Sequence, residues 1–135
     1  MIVVWGIAVL CTLFLSSCKR PEVLDNSTLV NSARNVALTF GPAYVPFFKE
    51  ANVSDVQVFK KKDYGGDSRP QIRKQIGRKF YTVTFTYDST AVKFDFGFAA
   101  RVRIWKDTGE PLDVIFGNGW GRNFFFLSFK EQTDH

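Results

Sequence analysis

Hydrophobic positions recur along this chain in three rhythms, and each rhythm predicts a different kind of element. From Met1 to Ser17 they are almost continuous, and no side chain in that stretch is charged. The run is short for a membrane-spanning helix, which takes about 20 apolar residues, and suits the apolar region of an export signal. Between Leu29 and Phe40 the pattern opens out, with Leu29, Ala33, Val36 and Phe40 at helical intervals that share one stripe. Asp25, Asn26, Ser27 and Thr28 are all good N-caps, and Gly41-Pro42 ends the helix. The domain is expected to begin near Ser27, and a short helical turn after Pro46 to carry Phe47 and Phe48 into the core.

After Asn52 the period falls to two, the period of a strand. Ser54, Val56 and Val58 would share one face of a first strand, with Asp55, Gln57 and Phe59 on the other. Tyr81, Val83, Phe85 and Tyr87 alternate with Thr82, Thr84 and Thr86, a pattern for a half-buried sheet, and Asp88-Ser89-Thr90 makes a hairpin loop. The next run places Val92, Phe94, Phe96, Phe98, Ala100, Val102 and Ile104 on one face and Lys93, Asp95, Arg101 and Arg103 on the other. Because its phase never slips, it predicts one long strand that curves at Gly97 without a bulge. A turn at 106–111 leads to a strand with Leu112, Val114 and Phe116 on one face. Gly117 to Gly121 breaks it, and Phe124 to Phe129 form a last strand, apolar on both faces apart from Ser128. Such a strand needs cover on both sides or a place at an interface. The fold class is α+β: one N-terminal helix packed across a curved antiparallel sheet of four or five strands. This element order resembles the cystatin-like and nuclear-transport-factor-like groups, in which a sheet wraps a helix, with no motif shared.

Composition sharpens this. The 135 residues include 15 Phe, 4 Tyr and 3 Trp, enough aromatic area for one packed domain over 27–135. The apolar leader closes on Leu15-Ser16-Ser17-Cys18, which resembles the lipobox of bacterial lipoproteins. The resemblance implies that residues 1–17 are a signal peptide cut before Cys18, that the Cys18 sulfur carries a diacylglycerol, that the new amine is acylated (palmitate being the usual chain), and that 18–26 are a tether. Lys19 rather than Asp after the cysteine favours, by the same analogy, the outer membrane of a Gram-negative cell envelope. No Lys or Arg precedes the apolar block, so either the true start lies upstream of Met1 or the signal is weak. The competing reading is an uncleaved anchor with Lys19-Arg20 on the cytoplasmic side. Cys11 lies in the leader and Cys18 would be lipidated, which leaves the domain no thiol for redox chemistry or a disulfide.

Charge is concentrated in one place. The chain carries +5 overall, whereas residues 60–79 hold Lys60, Lys61, Lys62, Arg69, Arg73, Lys74, Arg78 and Lys79 against Asp63 and Asp67, a local +6. A connection of that kind can bind anionic lipid, lipopolysaccharide phosphates or an acidic polymer; the plainer reading is a solvated loop. Nucleic acid is a poor partner for an exported protein. Trp105, on the polar face with Arg101 and Arg103, and Trp120, in the glycine-rich break, are candidates for stacking on a glycan or meeting another envelope protein, unless both simply pack against the sheet.

Catalytic signals are sparse. His135 is the single histidine and the last residue, so triad chemistry and a zinc site are not expected, and no nucleotide loop precedes a helix. No cofactor or metal is implied. Asp95 and Asp113 lie within strands, where solvated, outward-facing carboxylates are the simpler reading; a deep pocket joining either to a tyrosine would be the sign of acid–base chemistry. The sequence therefore reads as a membrane-anchored envelope lipoprotein with a binding domain, whose alternative is a structural or inhibitory partner of another envelope protein held through Phe124 to Phe129.

Overall fold

A computed structural model describes residues 24–64, 66 and 69–124. The leader, Cys18, the tether before Leu24 and the expected strand beyond Phe124 lie outside the described residues.

Helix α1 spans Asn26–Phe40, and Asp25 is its N-cap, accepting a 2.7 Å hydrogen bond from the Thr28 N–H. The stripe read from the sequence is the buried one, Leu29, Ala33, Val36 and Ala37, while Phe40 is half-buried against Phe124 at 5.3 Å between rings. The helix stops where Gly41 meets the buried Phe116 ring, since a Cβ on Gly41 would lie 2.4 Å from it. A 3-10 turn over Pro42–Phe47 follows. It starts earlier than expected because Pro42 presets the backbone angle of a first helical position. Phe48 stacks on Phe85 at 4.2 Å, but Phe47 stays 40% exposed instead of entering the core.

Among the described residues six strands form one open antiparallel sheet: β1 (Ala51–Val53), β2 (Gln57–Val58), β3 (Lys79–Phe85), β4 (Ala100–Trp105), β5 (Pro111–Phe116) and β6 (Gly121–Asn123). β1 pairs with the second half of β3 and β2 with its first two residues. The two are lengths of one interrupted edge, so the segments make the row of five, β1-β3-β4-β5-β6. The interruption lies where Ser54 exchanges hydrogen bonds with Thr82 through its backbone and its Oγ, so the single strand expected over 54–59 is regular only at Gln57–Val58. Phe59 is buried while Val56 and Val58 face solvent, on opposite faces as the alternation assigned them.

Val83, Phe85, Ala100, Val102, Ile104, Val114 and Phe116 form the inner face beneath α1. The outer face is covered at one end by a second apolar cluster of Phe59, Ile72, Phe80, Trp105 and Leu112. Leu112 was expected beside Val114 and Phe116. A bulge moves it: the pairing steps from Arg103 opposite Asp113 to Ile104 opposite Pro111, and the extra residue turns outward.

The long strand expected from Val92 to Ile104 is regular from Ala100 to Trp105. Residues 92–99 instead bend over the end of β5, where the Phe96 N–H donates to the Gly117 carbonyl and the Gly117 N–H to that of Ala99. A Cβ on Gly117 would stand 2.6 Å from the Phe98 oxygen, an approach that glycine permits. Phe94, Phe96 and Phe98 consequently share no strand face. Phe94 packs on Tyr87 and Tyr44, and Phe96 stacks on Phe98.

Candidate functional site

The basic connection is a folded cover for the outer face of the sheet. Its first part is a 3-10 turn, Lys61–Tyr64, opened by Asp63, whose carboxylate accepts a 2.7 Å bond from the Lys60 N–H. Its second part is the one-turn helix α2, Pro70–Arg73, which packs against the first. Ile72 is fully buried among Phe59, Phe80 and Trp105. Two side chains of this cationic stretch, Tyr64 and Ile72, therefore hold it down.

A polar clamp completes the attachment. Asp113, in β5, is on the outer face as expected, but it is covered and 4% exposed instead of solvated. Arg103 grips both of its oxygens, through Nε at 2.9 Å and through Nη2, and the Tyr64 hydroxyl donates to Oδ2 at 2.7 Å. The Arg103 guanidinium also lies 5.2 Å from the Phe80 ring centre and 5.6 Å from that of Tyr64. Burial opposes the charge on Arg103, yet the Asp113 carboxylate more than offsets it, so the guanidinium holds its proton more firmly than usual. Burial, reinforced by the same carboxylate, pushes the Tyr64 phenol far above its ordinary range. Tyr64 thus stays a neutral donor.

Beside this clamp is an open cleft of about 340 Å³, lined by Tyr64, Arg103, Asp113, Ile115, Gly121 and Asn123 among others. It joins Asp113 to a tyrosine, as acid–base chemistry would require. Both groups, however, are committed to one another and to Arg103, which suits a structural clamp better than proton transfer. Asp95 is exposed. Among the described residues no group of three or more His, Cys, Asp or Glu could hold a metal, and no helix is long and apolar enough to cross a membrane.

The predicted binding residues separate into three environments. Arg69, Arg73, Lys74 and Lys79 are exposed together with Lys60, Lys61 and Lys62, forming one cationic surface. Arg78 is engaged: it donates to both Asp107 oxygens at 3.0 and 2.7 Å and lies 3.9 Å from the Trp105 ring centre. Trp105 is accordingly 5% exposed, a core ring beneath a guanidinium. Trp120 stands at the opposite end of the sheet, 45% exposed and stacked on Phe116 at 5.4 Å.

The basic loop and the tryptophans do not meet in one surface. Sequence reasoning missed Tyr64 and the Arg103–Asp113 pair. The available signal was a carboxylate in an otherwise apolar strand, next to a strand carrying arginines on its polar face. Compared with models of protein families, with curated proteins and with solved structures, the chain matches none.

Proposed function

We propose that this chain is a cell-envelope lipoprotein anchored through lipid on Cys18, whose domain is a non-catalytic binding module for an anionic envelope component. One observation carries the binding part: Lys60, Lys61, Lys62, Arg73, Lys74 and Lys79 are presented to solvent by a segment locked onto the sheet through Ile72 and Tyr64. A loop kept basic for solubility alone needs no such clamp. Fixed cations lose less conformational freedom on binding and focus their field on one surface.

The test is retention of the detergent-solubilised full chain on dextran-sulfate resin at low salt. Replacing Lys61, Lys62, Arg73 and Lys74 by Gln is expected to abolish retention with the melting curve intact; equal retention of both proteins would overturn the reading. Intact mass spectrometry of membrane-extracted protein tests the anchor, with Cys18 to His135 plus lipid expected and an unprocessed chain from Met1 counting against it.

The second reading, a partner protein in the envelope, is favoured by Phe47, Phe96 and Trp120. These large side chains are 40%, 45% and 45% exposed at the far end of the sheet, where aromatic anchors suit protein contacts and Trp120 suits a glycan. The expected contact strand begins at Phe124, which is buried; its remainder lies outside the described residues.

A further inference from the structure

Where the chain enters the domain decides which way the cationic surface faces. Leu24 lies against Gly109, its Cδ2 3.5 Å from where a Cβ on that glycine would be, in the turn that joins β4 to β5. That turn is at the end of the sheet where β3 begins and β4 finishes. There the Lys106 N–H donates to the Lys79 carbonyl at 2.9 Å, and the Phe59 N–H to that of Arg78 at 2.8 Å. The entry point and the cationic cover therefore share one end of the molecule. Residues 19–23 are all that separate Cys18 from Leu24, and a fully extended chain of that length spans at most about 20 Å.

We infer that this end of the domain rests on the anionic phospholipid headgroups of the membrane that holds the anchor, with Lys60, Lys61, Lys62, Arg73, Lys74, Lys79 and Lys106 facing the surface. The inference rests on the lipid-anchor reading of Cys18 and names the anionic component of the binding reading. Two further features fit a bilayer surface. Val58 and Ile76, each 43% exposed, stand among these cations, where aliphatic side chains enter the headgroup layer. Of the described acids at this end, Asp107 is taken by Arg78, Asp63 caps the turn after Lys60 and Glu110 is exposed. The exposed aromatics Phe47, Phe96 and Trp120 then point away from the membrane.

The experiment reconstitutes the full chain, with Cys11→Ser, in vesicles of phosphatidylcholine alone or mixed with phosphatidylglycerol. A thiol-reactive fluorophore is placed at Gln71→Cys in α2 or at Ser89→Cys at the far end, and a nitroxide on the lipid headgroups quenches it. The chain without an added cysteine provides the background, and its labelling reports separately whether the Cys18 thiol is blocked. Strong quenching at 71 and little at 89 is expected on anionic vesicles. Quenching at 71 should fall on neutral vesicles, and again at high salt, where screening shortens to roughly 3 Å at 1 M. Each of Lys61, Lys62, Arg73 and Lys74 changed to Gln should weaken docking by about fivefold. Equal quenching at both sites, or none at 71 on anionic vesicles, overturns the inference. Retention on dextran sulfate without quenching at 71 would overturn it while leaving the binding reading intact.

Discussion

Asp113 and Arg103 are the residues at which burial and charge bear hardest on each other. A buried pair contributes little compared with apolar residues of the same shape, but removing one partner strands the other's charge. Asp113→Asn is therefore expected to cost about 3–5 kcal/mol in urea unfolding, whereas Tyr64→Phe, which removes one donor from a carboxylate already held by Arg103, costs about 1 kcal/mol. Equal costs would contradict the clamp. The exposed carboxylates respond to pH instead. Backbone and side-chain hydrogen bonds from Thr28 hold Asp25, bonds from Thr90 hold Asp88, and the Arg78 guanidinium holds Asp107, each below the ordinary 3.8. Depressed folded values mean that the unfolded chain takes up protons first on acidification, so these contributions are full above about pH 4 and are lost as pH falls below it. Melting temperature against pH should be flat from neutrality to about 5 and fall below 4; a rise on acidification would contradict the sign. Asp113 was misread because strand alternation assigned it correctly to the outer face, while nothing local revealed that the face is covered.

At the scale of elements, α2 makes the clearest case for tertiary support. A single turn cannot hold itself in water, and it stands here because Ile72 fills the outer cluster. Ile72→Ala should cost about 2–5 kcal/mol and speed hydrogen exchange throughout residues 59–78, while α1, supported by the inner core, exchanges as before. Uniform acceleration would show that the cover and the main core unfold as one unit. α1 and β3 to β5 were legible because their apolar residues contrast sharply with polar neighbours over several periods. The 60–79 connection was legible only as charge, since Ile72 is isolated among cations and matches no period.

The whole molecule is polar in the literal sense: the chain enters at a cationic end, and large aromatics stand exposed at the other. Replacing four exposed cations removes charge without removing packing, so Lys61, Lys62, Arg73 and Lys74 changed together to Gln should leave unfolding stability within roughly 0.5 kcal/mol per site while releasing the domain from anionic surfaces. Loss of both together would mean that the cations serve the fold. This division follows from where the clamp places the basic segment, on the same end of the sheet as Leu24 and the β4–β5 turn.

By itself the sequence determined the α+β class, the helix with its cap and its buried stripe, the inner faces of β3 and β4, and the concentration of charge in one connection. Those are properties of single segments, in which periodicity records which side prefers to leave water. Tertiary structure decided the rest: the bulge that turns Leu112 outward, the cover that buries Phe59 and leaves Val58 exposed, and the bend of residues 92–99 over Gly117. It also decided the burial of Trp105 and the placing of Trp120 away from the cations. Each of these depends on what lies opposite a side chain, and pairing register, close backbone approach and the second covered face are set between segments distant along the chain.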